Sequence, residues 1–230
     1  MLDTKRMRFP IDIILVCIRW YAAYPLSYRH LEEMMQERGV KVDHSTINRW
    51  AIRFLPLLEL AFRQYKRPVG GSWRMDETYI KVKGVWTYLY RAVDKSGKTI
   101  DFLLTEKRDK VAAKRFFDQA IQNNGTPETV TMDKSGANKA AIDEVNTGKE
   151  VPIVVRQIKY LNNIVEQDHR AIKRVTQPML NFKAFHSATS VLAGIELMHM
   201  IRKGQMILEE QTQLSFADQF YTLAGKVRPL

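Results

Sequence analysis

The chain has 230 residues, and 36 Lys and Arg against 25 Asp and Glu give it a formal net charge of +11 at pH 7. A surplus of this size favours polyanionic partners, with nucleic acid first among them. The single cysteine, Cys17, excludes an internal disulfide and a cysteine-based zinc site. The longest apolar run, Ile13 to Ile18, is far too short to span a bilayer, and the opening residues lack the apolar region of a secretory signal. We therefore expect a cytoplasmic protein without a membrane partner.

Three helices are predicted near the N-terminus. Apolar residues at helical spacing predict a first helix over residues 11–23, which Pro25 ends. Ser27 is a suitable N-cap for a second helix, and Asp43 is a suitable N-cap for a third. Pro56 predicts a break or a kink in the third helix, because proline lacks the backbone N–H that a helix interior needs.

The short turn between the second and third helices gives the pattern of a helix-turn-helix unit. In such a unit the second helix of the pair enters the major groove of DNA with its N-terminal residues leading. Arg49 and Asn48 can donate to guanine and adenine edges, whereas Ser45 and Arg53 suit phosphate contacts. A plain three-helix bundle with a solvated polar face is the alternative interpretation. The candidate DNA contacts lie off the apolar stripe of the third helix: Ser45, Thr46, Asn48, Arg49 and Arg53.

A different pattern begins after the Pro- and Gly-containing stretch 65–71, which has the composition of a domain boundary. Three antiparallel strands followed by helix, strand, helix, strand and helix is the order of the ribonuclease-H-like fold, which retroviral integrases share. We therefore predict an α/β, ribonuclease-H-like catalytic domain after an all-α helix-turn-helix domain. The predicted elements are strands over 73–82, 85–93 and 99–105, a helix over 109–123, a strand over 129–132, a helix or loop over 135–145, a strand over 151–158 and a long helix from 161 or 162.

Three acidic residues converge in this arrangement. Asp76 lies on the first strand, Asp133 ends the fourth strand beside it, and Glu166 reaches the same place from the last helix. Clustered carboxylates repel one another, so they ionise together only when cations fill the gap between them. Hard oxygen ligands select Mg²⁺ or Mn²⁺, and a pair of such ions drives in-line attack on a phosphodiester. We expect two ions per active site and no small-molecule cofactor.

The helix that carries Glu166 also carries basic residues. Glu166, Arg170 and Lys173 follow one another at helical spacing and share one face. Lys173 is therefore expected to contact a phosphate or the flanking DNA, although an ordinary surface Glu–Arg pair with a lysine beyond it is the alternative. A lone histidine such as His169 is more typical of packing than of metal binding, and Glu77 is expected to point to the opposite face of its strand with a structural role. The candidate DNA contacts of this helix are Arg170, Lys173 and Arg174.

Several segments together form a recognisable set: residues 28–35 with 37–40, 42–50, 75–84, 88–94 and 156–169, with Lys173 and Arg174 after the last. They resemble the DDE transposases of bacterial insertion sequences, in the IS-six group of short, replicative elements. The likeness covers nearly the whole chain. It implies that the family's catalytic trio falls on Asp76, Asp133 and Glu166, and that the family's downstream basic residue falls on Lys173.

The resemblance also implies a function and partners. Water would attack the phosphodiester at an element end to free a 3′-hydroxyl, which would then attack target DNA and give a cointegrate. The expected partners are the terminal inverted repeats of the element, target DNA and further copies of the chain in a homodimer or larger assembly. The expected location is the bacterial cytoplasm, in association with the nucleoid when the protein is on DNA.

The predicted domains are a helix-turn-helix domain over 1–66, a catalytic domain over 67–205 and a C-terminal tail over 206–230. One alternative function is that of a metal-dependent nuclease of the same fold, since hydrolysis and strand transfer differ only in the nucleophile. The other is that of a non-catalytic DNA-binding regulator. The acidic trio argues against the regulator, because a protein that only binds DNA gains nothing from clustered carboxylates near it.

Overall fold

The computed structural model describes residues 7–179, 181–207 and 214–226. In chain order its elements are α1 (Ile11–Ala23), α2 (Tyr28–Gln36), α3 (His44–Arg63), β1 (Ser72–Val82), β2 (Val85–Asp94), β3 (Thr99–Thr105), α4 (Lys110–Asn124), β4 (Thr129–Thr131), α5 (Gly136–Asn146), β5 (Val154–Arg156), α6 (Asn163–Thr176), α7 (Phe185–Arg202) and α8 (Phe216–Lys226). A 3₁₀ turn, Lys159–Asn162, leads directly into α6. Within the described residues, no helix combines the length and apolar character that a membrane crossing needs.

The chain divides into two compact units. Pro68–Ala171 forms one, which we call the sheet unit, and Met1–Arg67 together with Ile172–Leu230 forms the other, the helical unit. The first boundary agrees closely with the stretch predicted as a linker. The functional domain limits of 1–66 and 67–205 stay a prediction. The predicted tail includes α8, and its residues 208–213 and 227–230 lie outside the described residues.

The predicted helix caps of the helical unit are present. The Ser27 hydroxyl accepts the backbone N–H of His30 at 3.0 Å, and Nδ1 of His30 accepts the backbone N–H of Ser27 at 3.3 Å. The Asp43 carboxylate accepts the backbone N–H of Ser45 at 2.7 Å and that of Thr46 at 3.3 Å. These bonds satisfy backbone donors that a helix start otherwise leaves without a partner, so α2 and α3 begin where the caps predict.

Of the two alternatives predicted at Pro56, the break does not occur, because α3 continues through this residue to Arg63, whereas the kink stays a prediction. Proline removes one backbone hydrogen bond from a helix, and the local cost is offset here by packing on both sides of it. Phe54, Leu55 and Leu58 are all buried. α7 packs against α3, and Gly194 lies where an added Cβ would be 2.6 Å from Cδ1 of Leu55.

We predict that Gly194→Ala destabilises the chain by about 1–3 kcal/mol, because a methyl group has no room against the packed Leu55 side chain. Gly225→Ala is the matched control in the same unit, since its Cβ meets no atom within 4 Å. Urea unfolding of both variants measures the difference. Equal unfolding free energies for the two variants would show that the contact between α3 and α7 is loose.

The sheet unit contains five strands in the order β3-β2-β1-β4-β5. β1, β2 and β3 pair antiparallel, whereas β4 pairs parallel to both β1 and β5. This is the predicted ribonuclease-H-like arrangement. α4 and α5 cover one face of the sheet, and the core there includes Trp73, Met75, Phe116, Phe117 and Ile142.

Strand pairing determines where the acidic residues of β1 and β4 lie. The parallel pairing of β1 with β4 ends at Arg74 opposite Thr131. Asp76 and Asp133 each follow two residues later, so Asp76 lies within β1 and Asp133 just after β4, both close to the end of the pairing between these neighbouring strands. On its other side, Asp76 is paired in register with Arg91 of β2.

Candidate active site

Asp76 is held by a buried histidine. Its Oδ2 lies 3.2 Å from Nε2 of His169, on α6. Nδ1 of the same ring lies 3.3 Å from Nη1 of Arg91, on β2. Arginine only donates hydrogen bonds, so Nδ1 is the acceptor in this contact, and the ring hydrogen of the neutral imidazole lies on Nε2. His169 therefore donates to the Asp76 carboxylate and fixes its orientation.

Arg91 connects the sheet to α6 through two adjacent residues. It is fully buried, and its Nη2 donates to Oδ2 of Asp168 at 2.7 Å in addition to the contact with His169. A buried guanidinium is tolerated only when acceptors surround it, because desolvation of an unpaired charge costs several kcal/mol. The start of α6 is therefore held against β2 by a charge-assisted contact.

Glu166 lies in the first turn of α6 and is exposed. It precedes His169 by three residues, so the two side chains are neighbours on one side of the helix. Just before α6, Nδ2 of Asn162 donates to the backbone carbonyl of Met75 at 3.2 Å. This bond joins the approach to α6 to the residue that precedes Asp76 on β1, and Glu166 thereby lies on a helix anchored beside Asp76.

Asp133 follows β4 and has its own set of donors. Its Oδ1 accepts the backbone N–H of Ser135 at 3.0 Å and Nδ2 of Asn138 at 3.4 Å. Its Oδ2 accepts Nη2 of Arg108 at 3.0 Å. The side chain remains 42% exposed, so ligands can reach it from solvent.

Glu77 shares two of these donors with Asp133. Nδ2 of Asn138 donates to its Oε1 at 2.9 Å, and Arg108 donates through Nε and Nη2 at 3.3 and 3.4 Å. Burial raises the pKa of Glu77, while Asn138 and Arg108 oppose that rise. Glu77 points to the face of β1 opposite Asp76, as strand alternation predicts, but it belongs to the same cluster of acidic groups.

The three predicted metal ligands do not form a closed cluster. Among the described residues, the group whose ligand atoms all lie within 4.8 Å of one another is Glu32, Asp43 and His44, which joins α2 to the start of α3. Asp76 is held instead by His169, and Asp133 by Arg108. Carboxylates that repel one another are expected to separate onto their own donors in this way.

The donor set nevertheless fits a hard divalent cation. All three predicted ligands are carboxylates, and oxygen is the ligand that Mg²⁺ and Mn²⁺ prefer. Asp76 and Asp133 lie just beyond the pairing of β1 with β4, and Glu166 lies on the helix anchored beside Asp76. The assignment of the metal ligands to Asp76, Asp133 and Glu166 stays a prediction.

Some of the side chains of α3 that are predicted to contact DNA already form hydrogen bonds with neighbouring residues, and others are exposed. The Ser45 hydroxyl donates to the Asp43 carboxylate, and Thr46 Oγ1 accepts Nη2 of Arg49 at 2.8 Å. Arg49 is nevertheless exposed, and Asn48 is half-buried. Arg53 is also exposed, with its guanidinium 5.2 Å from the ring centre of Phe54.

The predicted basic residues of α6 lie along the helix after Glu166. Arg170 and Arg174 are exposed, and Lys173 is half-buried. Lys173 and Arg174 form part of the last turn of α6, where cations interact favourably with the helix dipole. Their proposed contacts with DNA remain predictions.

Sequence reasoning missed most of the partners that hold the acidic residues. Arg108 and Asn138 carry no motif, since they lie in a loop and on a short helix. A partner for Arg91 could have been predicted from the sequence, because a charged residue in the middle of an apolar strand indicates a buried partner. Strand pairing also puts Arg91 directly opposite Asp76.

A protein family described as a DDE domain matches residues 70–205. The transposase for the insertion sequence-like element IS431mec from Staphylococcus aureus strain Mu50 is 39% identical over 198 residues, which cover 85% of this chain and 87% of that protein. The chain belongs to the DDE transposase family. The Staphylococcus aureus transposase of insertion sequence element IS257 in transposon Tn4003 is similar to the same extent, with 39% identity over 198 residues.

The chemistry of the DDE transposase family is metal-dependent polynucleotidyl transfer on DNA. Among solved structures, the magnesium complex of the HTLV-2 integrase catalytic core, in its trimeric form, is 21% identical with a TM-score of 0.46, over 57% of this chain and 86% of that one.

We predict that His169→Phe slows DNA joining by about 10–100-fold, because phenylalanine keeps the ring volume but cannot donate to Asp76. A joining assay with labelled DNA ends measures the rate. His169→Gln, which retains a donor and an acceptor, should recover part of the loss, and DNA affinity should stay unchanged for both variants. A full rate in His169→Phe would show that Asp76 needs no partner on α6.

Proposed function

We propose that this chain binds the terminal inverted repeats of its insertion sequence, cleaves the DNA at the 3′ ends of the element and transfers those ends into target DNA. One observation carries the proposal. Asp76 and Asp133 each lie two residues beyond the end of the parallel pairing between β1 and β4, and the helix that carries Glu166 is anchored next to Asp76 through His169.

We assign Asp76, Asp133 and Glu166 as the groups that would hold two divalent ions, Mg²⁺ or Mn²⁺. Such ions, when bound, activate an attacking oxygen and stabilise a leaving oxygen. Asp133 is accessible from solvent, and its partner Arg108 is only partly buried, so this side of the site is open to exchange of partners. His169 orients Asp76, because its Nε2–H donates to the carboxylate.

The two proposed steps use the same arrangement with different nucleophiles. In the first, the oxygen of water attacks phosphorus, and the bond to the 3′ oxygen of the element breaks to leave a 3′-hydroxyl. In the second, that hydroxyl attacks a phosphodiester of the target, so the element becomes joined and a target 3′-hydroxyl leaves. Lys173, two helical turns after Glu166, is proposed to bind the DNA phosphates that flank the reacting bond.

Recognition of the element ends is proposed for the start of α3. Arg49 is exposed there and Asn48 is half-buried, and Arg53 is exposed one turn further along the helix. Ser45 already donates its hydroxyl to the Asp43 carboxylate, so its share in phosphate binding is the weakest of the set. Arg170 and Arg174 of α6 are proposed to contact DNA near the reacting end.

The proposed assembly is a homodimer or a larger homo-oligomer, because transposition brings two element ends together. The proposed location is the bacterial cytoplasm, with nucleoid association through DNA. The net charge of +11 supports association with DNA, since neutralised phosphates release their counterions.

We expect Asp133→Asn to abolish joining while DNA binding stays intact or becomes tighter, because a negative charge near the DNA is removed. The assay mixes purified protein with element-end DNA, a target plasmid and Mg²⁺, and it scores joined product on a gel. Asp143→Asn is a matched control, since Asp143 pairs with Lys139 on the exposed side of α5. Glu166→Gln should behave like Asp133→Asn.

The outcomes of this assay separate the candidate functions. Joined product that disappears in Asp133→Asn and Glu166→Gln, but not in Asp143→Asn, supports strand transfer through the acidic trio. Cleavage without joining would favour a nuclease. Specific binding with neither reaction would favour a DNA-binding regulator.

We expect Arg49→Ala to weaken binding to the element end by about 1–3 kcal/mol more than binding to random DNA, because a base contact carries sequence information. Electrophoretic titration of both DNAs at one salt concentration measures the two affinities. Arg29→Ala removes the same charge from an exposed position on α2 and should affect both DNAs equally. An equal loss on both DNAs in Arg49→Ala would make Arg49 a phosphate contact.

A further inference from the structure

The hairpin formed by β1 and β2 exposes aromatic rings that a folded core would bury. Trp86 is 57% exposed and Tyr79 is 49% exposed. The other face of the same hairpin is buried at Ile80, Val82 and Thr87, so the hairpin already has a packed side. We call Tyr79, Lys81 and Trp86 the hairpin surface.

The residues of the hairpin surface touch one another. The ring centres of Tyr79 and Trp86 lie 6.3 Å apart at 78°, and Nζ of Lys81 lies 5.7 Å from the Trp86 ring centre. Lys81 is paired in register with Trp86, and Tyr79 with Tyr88. Flat rings beside an ammonium group suit a ligand that has both π faces and negative charge.

The hairpin surface is continuous with the candidate active site. Tyr79 follows Glu77 by two residues, so both side chains lie on the same face of β1. Glu77 in turn shares Arg108 with Asp133. A strand bound at Asp133 therefore has the hairpin surface along its path.

Charge distinguishes between the possible occupants of this surface. Residues 79–88 contain Lys81 and Lys83 and no acidic residue. A second copy of a chain with a net charge of +11 is a poor electrostatic match for such a patch, whereas a phosphate backbone is a good one. The base faces of a duplex are stacked inside it, so exposed rings can stack only on nucleotides that are unpaired.

We propose that Tyr79, Lys81 and Trp86 bind unpaired nucleotides of the DNA strand that enters the candidate active site, with the rings stacking on bases and Lys81 contacting a phosphate. The proposal rests on the proposed function and adds to it a binding site for a locally opened DNA end. Its chemistry is that of surfaces that bind single strands without strong sequence preference.

The test uses the full chain, without divalent ions, and a fluorescein-labelled single-stranded oligothymidylate. Trp86→Ala should weaken binding by about 5–100-fold, which is the usual effect of losing one stacked base. Trp86→Phe should keep most of the affinity, because its ring still stacks. Val85→Ala is the matched control, since Val85 is 65% exposed on the same hairpin but has no ring.

Tryptophan fluorescence gives a second readout. Trp50 and Trp73 are buried, and Trp20 is half-buried, so Trp86 is the most exposed of the four tryptophans. Oligothymidylate should quench the emission of the wild-type chain, and most of this quenching should be absent in Trp86→Phe. Binding of duplex terminal repeat should be the same for the wild type and both Trp86 variants.

Two results would overturn the inference. One is an equal oligothymidylate affinity for Trp86→Ala and Val85→Ala. The other is a sedimentation change in Trp86→Ala from oligomer to monomer with unchanged oligothymidylate affinity, which would make the hairpin a contact between copies. Failure of the proposed function is a separate result, because a chain that binds oligothymidylate through Trp86 but never joins DNA ends would overturn that function alone.

Discussion

The buried guanidinium of Arg91 determines how the candidate active site is assembled. It lies on the central part of the sheet, accepts no hydrogen bond, and needs acceptors on every side because water cannot reach it. Asp168 and His169 supply them from α6, and the same histidine then donates to Asp76. The buried charge of Arg91 thus holds α6 against β2, selects the tautomer of His169 and, through that ring, orients the Asp76 carboxylate. Glu166 is positioned as a consequence, because it lies on the same helix.

Repulsion among carboxylates explains the rest of the arrangement. Asp76, Glu77 and Asp133 lie close enough to influence one another, and burial together with their charges makes ionisation of Glu77 less favourable. Two sets of donors bind these carboxylates. His169 lies on one face of β1, and Arg108 and Asn138 lie on the other. Each carboxylate thus has donors of its own, which offset the repulsion between them.

The elements of the fold were largely predictable, because alternation, helical spacing and caps such as Ser27 and Asp43 act locally. The roles of Asp76, Asp133 and Glu166 stay predictions, and these residues were predicted from their settings and from the family resemblance. Their partners were not, since the contact between Arg108 and Asp133 depends on two loops that fold towards each other. A break at Pro56, one of the two predicted alternatives, does not occur, because the side chains that pack around this residue offset its local penalty.

The unbroken course of α3 has a mechanical consequence. Its 20 residues make a rod of about 30 Å, with the proposed base-reading side chains at one end and the unit boundary after the other. Phe54, Leu55 and Leu58 are buried on both sides of Pro56, so packing holds the middle of this helix in place. Insertions in the turns on either side of α3 are therefore expected to change how the proposed DNA-reading side chains are presented, while the side chains themselves stay the same.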